Sequence, residues 1–381
     1  MPRVVGVLMA LGTAFPTPGA AQMEWRLSSL PTLTVGDVPS PGHQLFRVAD
    51  ATRLPDGRLV VLNAGTSEIR IFSPSGDLAE VVGGEGDGPG EYQSLSAIRR
   101  DRSGGFWVYD WSAARATHLD RDFEVIETRR VGYDLGAGIP VPSRFRPFED
   151  GAIPIARGVL TMMEHHARRP GHYHDTIRVG VHHDGALREV FKLSRGETFG
   201  VRVGSSGITR PIPFGETALY GAGPTSFVVG TSHSREFQVL DRRGRVLRTV
   251  QAGGQDRRVT RLDWELFQEA FREQYEGGMR IRGVAIEREP FVDEFLARTP
   301  RGRDFPLFDA AQIDGMGRVW VREYSLGAQG RTWQALGEEG VIALLDIPAE
   351  WEVLEFGEAY VVVLLKDEFD VESLRVYQIV Q

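Results

Sequence analysis

A recurring pattern of tight turns and short apolar strands constrains this sequence more than any other feature. Its first copy begins with the turn Leu54–Gly57, continues with an apolar strand at Arg58–Leu62 and, after a polar connection, has an alternating strand at Ile69–Phe72. The turn Ser73–Gly76 ends the copy. Pro and Gly favour turns, and the β-branched and aromatic runs between them favour strands. Each copy therefore predicts a small antiparallel sheet.

The pattern returns along the rest of the chain. The later copies include Ser103–Tyr109, Glu149–Ile155, Phe237–Gly244, Asp314–Val321 and Glu358–Leu365. A sheet of this kind has apolar faces, so neighbouring sheets must pack face to face. Closing the sheets into a ring buries these faces and leaves only short edges. The sequence therefore predicts an all-β fold of the propeller type. The strand Trp25–Val35 has no hairpin partner nearby, and we expect it to complete the last blade.

A helical insertion is predicted before blade five, at residues 260–300. Thr260 to Asp263 forms a capping-box pattern. Apolar side chains after it share one helical face: Leu262, Leu266, Phe267, Ala270 and Phe271. Pro290–Arg298 predicts a second short helix. An insertion between blades lies on a rim of the ring, where it either covers apolar blade surface or forms a lid over a ligand site.

The stretch Gly83–Tyr92, followed by Ser94–Ile98, adds a family signature. A Gly-rich turn, Gly-Pro-Gly, an acid and an aromatic residue lead here into the next blade, as in the NHL-type six-bladed propellers that the repeat resembles. The chain is also similar to uncharacterised six-bladed propeller proteins of bacteria that carry signal peptides. The resemblance covers most of residues 46–381 and implies six blades, with seven as the alternative.

The first 21 residues have the pattern of a secretory signal peptide. A charged start, Met1–Arg3, precedes the apolar run Val4–Phe15, and the small residues Gly19–Ala21 follow. We expect cleavage near Ala21, a secreted or periplasmic location, and a mature chain of residues 22–381 that forms a single propeller domain. No later stretch of apolar residues is long enough to span a bilayer, so no transmembrane anchor is expected in the mature chain.

Composition excludes several classes of function. The chain contains no cysteine, which rules out disulfides, thiolate metal sites and a cysteine nucleophile. Its formal net charge is −8, and it has no basic tract. Because nucleic-acid binding depends on neutralising backbone phosphates, a nucleic-acid partner is not expected.

One stretch holds six of the nine histidines: His165, His166, His172, His174, His182 and His183. If Tyr173–Val181 is a strand, His172 and His174 share one face. With a third ligand such as Asp175, Asp184 or Glu164, they predict a transition-metal site. The alternative is a solvated hairpin insertion in blade three. Apart from such a metal or calcium, no cofactor is expected.

Polar residues follow the first, apolar strand of several copies: Asn63, Asp110 and Glu323. In NHL-type repeats this position caps a turn between strands. Propeller hydrolases of the lactonase type, in contrast, use a ring of such residues near the channel to hold calcium. In the fourth copy of this sequence, Thr231 occupies the position of these polar residues, so the ring of ligands is incomplete.

Aromatic residues near strand ends predict a binding rim. Trp107, Tyr109 and Trp111 alternate along one strand, and Tyr324 follows the equivalent strand of blade five. Core packing accounts for most of these rings, but exposed rims bind partners through aromatic and arginine side chains. The rim candidates are Trp111, Asp110, Arg322, Glu323 and Tyr324.

We therefore predict an extracytoplasmic, non-enzymatic binding module whose partner is a protein, peptide or carbohydrate. The alternative is a metal-assisted hydrolase or lyase of the lactonase-like propeller type. No catalytic residue is identified. Ser232 and His233 could act together in principle, but adjacent residues of a strand face opposite ways.

Overall fold

The computed structural model describes residues 23–37, 42–132, 139–140, 145–158, 171–203, 206–275, 279–281, 284–286, 288–326 and 331–381. The predicted signal peptide, residues 1–21, lies outside this part of the chain. Twenty-eight strands and two helices are described, and most strands belong to blades of four or five antiparallel strands.

The first four blades are separate sheets, and their strands follow one another in sequence. Blade 1 contains β3 (Val48–Arg53), β4 (Leu59–Asn63), β5 (Glu68–Phe72) and β6 (Leu78–Gly83). Blade 2 contains β7 (Leu95–Arg100), β8 (Phe106–Asp110), β9 (Arg115–Leu119) and β10 (Val125–Arg130). Blade 3 contains β11 (Ile139–Pro140), β12 (Ile153–Gly158), β13 (Gly171–His183), β14 (Ala186–Val203) and β15 (Ser206–Pro211). Blade 4 contains β16 (Ala218–Ala222), β17 (Ser226–Thr231), β18 (Glu236–Asp241) and β19 (Val246–Gln251).

Blades 5 and 6 share the N-terminal strand β1 (Met23–Leu27). Blade 5 contains β22 (Phe308–Ile313), β23 (Val319–Glu323), β24 (Arg331–Gly337) and β25 (Gly340–Ile347). Blade 6 contains β26 (Glu352–Phe356), β27 (Tyr360–Lys366) and β28 (Glu372–Val380), with β2 (Leu33–Val35) on its outer edge. β1 pairs with β25 in parallel and with β28 in antiparallel orientation. The N-terminal stretch thus completes the last blade, as its lack of a hairpin partner predicted.

Six apolar cores, one between each pair of neighbouring blades, close the ring. Phe72 of blade 1 packs with Val362 of blade 6 in one of them, and Trp320 of blade 5 stacks on Phe356 of blade 6 at 4.0 Å in another. The other four cores join blades 1 and 2, 2 and 3, 3 and 4, and 4 and 5. The first strands of blades 1 and 2, of blades 4 and 5, and of blades 6 and 1 contact each other, so these strands line the centre of the ring. The structure confirms the predicted six-bladed propeller.

The two rims of the ring differ. One rim, the turn face, carries the tight turns that join the first and second strands of each blade, such as Leu54–Arg58 and Asp101–Gly105. The opposite rim, the cap face, carries the connections between blades. The helical insertion lies there: α1 (Arg261–Gln274), the hairpin β20 (Met279–Ile281) and β21 (Val284–Ile286), and α2 (Arg288–Arg298).

The two irregular parts of the repeat meet on the cap face. In blade 3, β13 and β14 extend past the end of β12, and β15 pairs with the extension. α2 packs on this extension, and Val201 of β14 lies in one apolar cluster with Phe271 and Phe291 of the two helices. We call this assembly, the end of β14 with β15, α1 and α2, the cap. The helical insertion that the sequence predicted is thus confirmed, and it is joined to blade 3. Within the described residues, no helix is long and apolar enough to cross a membrane.

Candidate functional site

A pocket of about 360 Å³ lies between the cap and the ends of blades 4 and 5. Its lining is mostly aromatic and aliphatic, with a few polar groups. The lining residues that carry the argument are Arg210, Phe214, Ser232, Phe271, Asp309 and Tyr324. A concave apolar site with a small number of directed polar groups is the usual form of a small-molecule site.

An array of aromatic rings forms the wall of the pocket on the cap side. Phe271 of α1 stacks on Phe295 of α2 at 4.8 Å and on Phe267 at 5.6 Å. Phe267 in turn lies 5.6 Å from Phe214, which precedes blade 4. Rings at these separations gain from offset and edge contacts beyond their buried area. The wall is therefore a packed surface rather than a set of separate side chains.

A capping box fixes the N-terminus of α1. The Thr260 hydroxyl accepts a hydrogen bond from the Asp263 amide, and the Asp263 carboxylate accepts one from the Thr260 amide at 2.8 Å. Arg257 donates to both oxygens of the same carboxylate, and this contact lowers the pKa of Asp263 to about 2. The capping box was predicted from the sequence.

The predicted apolar face of α1 is correct only in part. Phe267 and Phe271 pack into the cap, but Leu262 and Leu266 are 62% and 43% exposed. The helix turns its aromatic side chains toward α2 and the propeller, and this rotation leaves the two leucines on the outside.

A glycine allows the insertion to return to the propeller. The Gly302 amide donates to the Pro213 carbonyl at 2.7 Å, and a β-carbon at Gly302 would lie 2.0 Å from the Phe214 carbonyl oxygen. Only glycine accepts so close an approach of two backbones. This contact holds Phe214 in the wall of the pocket.

Directed polar groups stand on the propeller side of the pocket. Asp309 accepts hydrogen bonds from Arg322 at 2.5 Å and from Arg331 at 3.0 Å. Burial, with a smaller contribution from Asp309, raises the pKa of Tyr324 to about 12, so its hydroxyl is a neutral donor at physiological pH. On the cap side, Arg210 donates to the Tyr275 hydroxyl at 2.9 Å.

The five predicted rim residues do not form one surface. Arg322, Glu323 and Tyr324 belong to blade 5, and of these Tyr324 lines the pocket while Arg322 positions Asp309. Glu323 accepts from the Gln334 side chain at 2.7 Å. Asp110 and Trp111 belong to blade 2, three blades away around the ring.

The carboxylate of Asp110 is bound by backbone amides. It accepts hydrogen bonds from the amides of Gln93 at 2.7 Å, Ser94 at 3.1 Å and Ala113 at 3.0 Å. Asn63 likewise accepts from the Phe46 amide at 2.7 Å. Both side chains therefore cap turns, which is the alternative that the NHL-type resemblance implied for this position.

His172 and His174 lie on the part of β13 that extends toward the cap face. Both are exposed, His172 packs its ring against Phe199 at 5.3 Å, and His174 lies 3.9 Å from a Glu197 oxygen. The Asp175 side chain and the residues His165 and His166 lie outside the described part of the chain. Among the side chains that are described, no three potential ligands form a metal-binding group.

Ser232 and His233 are closer together than the sequence predicted. The Ser232 Oγ lies 3.0 Å from His233 Nδ1, because both residues follow the end of β17 and are free of strand alternation. The Thr217 amide also donates to the Ser232 Oγ at 3.0 Å. The hydroxyl therefore caps the start of blade 4, in the way that Asn63 caps the start of blade 1.

A buried charge cluster that no sequence pattern indicates lies in the centre of the ring. Arg146 donates to Asp50 of blade 1 at 2.5 Å and lies 3.6 Å from Glu355 of blade 6. Asp50 also accepts from the Ile98 amide of blade 2 at 3.0 Å. Burial and the nearby Arg146 lower the pKa of Arg99 to about 10. These acids are held by arginine and backbone amides, so they do not form the oxygen ligand ring of a calcium site.

Comparison with known proteins supports the fold. Residues 45–128, which span blade 1 and most of blade 2, match the DUF5128 family model, described as a 6-bladed beta-propeller. The chain resembles this six-bladed family. No curated protein matches the chain in sequence.

Several solved structures are similar over most of the chain. A member of the DUF4221 family from Bacteroides vulgatus has 13% identity and a TM-score of 0.47, with 94% of this chain and 99% of that chain covered. A protein of Bacteroides fragilis described as exported has 12% identity and a TM-score of 0.44, with coverage of 96% and 98%. Virginiamycin B lyase from Staphylococcus aureus has 10% identity and a TM-score of 0.41, with coverage of 93% and 99%.

Proposed function

We propose that this protein is a non-enzymatic, extracytoplasmic binding module that holds a small, mainly apolar ligand in the pocket between the cap and blades 4 and 5. The observation that carries this proposal is the meeting of the two irregular parts of the repeat. Neither the extension of blade 3 nor the helical insertion is needed to close the ring, and together they enclose a pocket of about 360 Å³.

The pocket favours a compact ligand over a long carbohydrate. Its size suits one or two rings or a short aliphatic chain, and aromatic side chains dominate its wall. The Tyr324 hydroxyl supplies a neutral donor that can orient a carbonyl or ether oxygen of the ligand. Among the predicted partners, an apolar side chain of a peptide meets the same requirements, whereas an extended sugar chain does not.

The metal-assisted hydrolase alternative gains no specific support in the described residues. Such a reaction requires several oxygen or nitrogen ligands around one open position. Asp110 is bound by backbone amides and Asp50 by Arg146, so neither presents free ligand oxygens to a common point. The described residues therefore favour ligand binding over metal-assisted hydrolysis, and the location outside the cytoplasm rests on the predicted signal peptide.

Binding of N-phenyl-1-naphthylamine, an uncharged apolar fluorescent probe, tests the proposal. We expect saturable enhancement of its fluorescence at one site per chain. Gln274 is an exposed residue at the edge of the pocket, and Glu273 beside it is exposed outside the lining. Gln274→Trp should therefore fill the entrance and weaken binding about tenfold, while Glu273→Trp, the matched control, should leave it unchanged. Absence of saturable binding, or equal effects of the two variants, contradicts the proposal.

A further inference from the structure

A second pocket lies on the turn face, between blades 1 and 2. Its volume is about 220 Å³, and it is far from the cap because it lies on the opposite rim. Leu54 and Phe106 form an apolar floor, and three arginines surround it: Arg58, Arg100 and Arg121. The chain as a whole is acidic, with a formal charge of −8, so the charge at this pocket is opposite in sign to the net charge of the molecule.

Comparison with the adjacent groove explains how this pocket arises. In each blade, one residue precedes the tight turn and another closes it by accepting the turn hydrogen bond. Between blades 6 and 1 these residues are Arg53 and Tyr360, and the tyrosine ring covers the guanidinium at 5.0 Å. Between blades 1 and 2 the same two positions hold Arg100 and Arg58. A second cation thus replaces the aromatic ring that would otherwise cover the first.

The remaining grooves lack this arrangement. The corresponding pairs are Pro147 with Gly105, Ala222 with Ala152, Ile313 with Ser226, and Phe356 with Arg318. The last pair contains a single arginine, Arg318, which is bound to the Asp314 carboxylate at 2.6 Å as Arg58 is bound to Asp56. The pair of arginines is therefore particular to the groove between blades 1 and 2.

The charges around the pocket are only partly balanced. Arg58 donates to Asp56 at 2.8 Å. Arg121 donates to the Ser103 carbonyl at 3.4 Å, and neither Arg121 nor Arg100 has an ion-pair partner within the residues that the structure describes. Three guanidinium groups thus face one carboxylate. Like charges at close range repel, and an anion between them relieves this repulsion.

We propose that this pocket is an oxyanion site that binds a phosphate or sulfate group. Planar guanidinium groups match tetrahedral oxyanions through paired N–H donors. Arg100 and Arg121 supply the uncompensated positive charge, and Arg58 is held in place by Asp56. The oxyanion is either free in solution or part of a larger molecule, such as a phosphate ester whose organic part rests on Leu54 and Phe106. The site is independent of the pocket under the cap.

Line broadening in ³¹P NMR, with inorganic phosphate titrated at constant ionic strength, tests the site. We expect saturable broadening by the wild-type protein and about tenfold weaker binding in Arg100→Gln and Arg121→Gln. Arg102→Gln is the matched control. Arg102 lies in the same turn, but its side chain is 79% exposed and is paired with Glu149. Its variant should bind phosphate as the wild type does.

Two results would contradict the oxyanion site. If the wild type shows no saturable broadening, or if Arg102→Gln weakens binding as much as Arg100→Gln, the proposal is wrong. Glycerol 1-phosphate in place of inorganic phosphate distinguishes a free oxyanion from a phosphate ester, since tighter binding of the ester indicates a larger natural ligand.

Removal of an unpaired cation also relieves repulsion, so the melting temperature of Arg100→Gln should equal or exceed that of the wild type. A loss of binding with a large drop in melting temperature would instead indicate misfolding, and Arg100→Lys then provides the second test: it keeps the charge and should retain part of the binding.

Discussion

The guanidinium of Arg146 in blade 3 lies 2.5 Å from the carboxylate of Asp50 in blade 1, although blade 2 stands between them in the ring. Arg146 also donates to the carbonyls of Ala51 and Leu354, which belong to blades 1 and 6. One side chain therefore connects three blades at the centre of the propeller.

Removal of this side chain should destabilise the whole ring. Arg146→Gln leaves the buried carboxylate of Asp50 without its cation, and loss of one partner of a buried ion pair costs about 3 kcal/mol. Urea unfolding measures the change. Because the two sites are coupled, Asp50→Asn combined with Arg146→Gln should cost less than the sum of the single variants. Strict additivity would show that the contact contributes little.

The start of α1 should respond to acid. The folded pKa of Asp263 is about 2, below its ordinary value of 3.8, so its contribution to stability is complete above about pH 4 and is lost as the pH falls toward 2. The difference in free energy of unfolding between wild type and Asp263→Asn should therefore shrink over this range. A difference that stays constant between pH 5 and pH 2 would contradict the assigned contact with Arg257.

Tyr324 should produce a response at alkaline pH. Its folded pKa of about 12 exceeds the ordinary value of 10.0, so its contribution to stability is present below pH 10 and is lost as the pH rises from 10 toward 12. Tyr324→Phe should show a smaller loss of stability over this interval than the wild type. Equal pH profiles of the two proteins would mean that the hydroxyl is not buried as the structure places it.

Gly302 should be essential to the cap but not to the ring. In Gly302→Ala the added β-carbon meets the Phe214 carbonyl oxygen, and the two backbones must separate. We expect faster hydrogen exchange in α1 and loss of N-phenyl-1-naphthylamine binding, with strand amides of blades 1 and 2 unaffected. Gly315, whose β-carbon would meet nothing within 4 Å, provides the control Gly315→Ala.

Most of the fold could be predicted from local sequence patterns. The tight turn Leu54–Gly57 and the strand after it are specified by neighbouring residues, so one chain segment was enough to predict them. The capping box at Thr260 is equally local. The cluster at Arg146 could not be predicted, because its partners in blades 1 and 6 are distant in sequence and no repeat position signals their contact.

The sequence named Tyr324 as a rim candidate and located the two irregular segments, but it did not predict the pocket that they form with blades 4 and 5. Nothing in the sequence shows that the extension of blade 3 reaches α2, since that contact depends on how far β14 runs beyond its blade. The exposure of Leu262 and Leu266 has a similar cause. Helical periodicity gives the spacing of an apolar face, whereas the neighbouring elements determine which part of it is covered.

The pairing of β2 with β28 has a consequence for folding. Val35 pairs with Leu374, so the last blade contains residues from near both ends of the described chain. Such a contact requires closure of a very long loop, and contacts of large sequence separation form slowly. Blades 1 to 4 can assemble from neighbouring residues as the chain emerges, whereas blade 6 must wait for its final strand. Until then, the unpaired edge of β27 and the face of blade 1 are open to other chains, and aggregation should compete with folding most strongly at this last step.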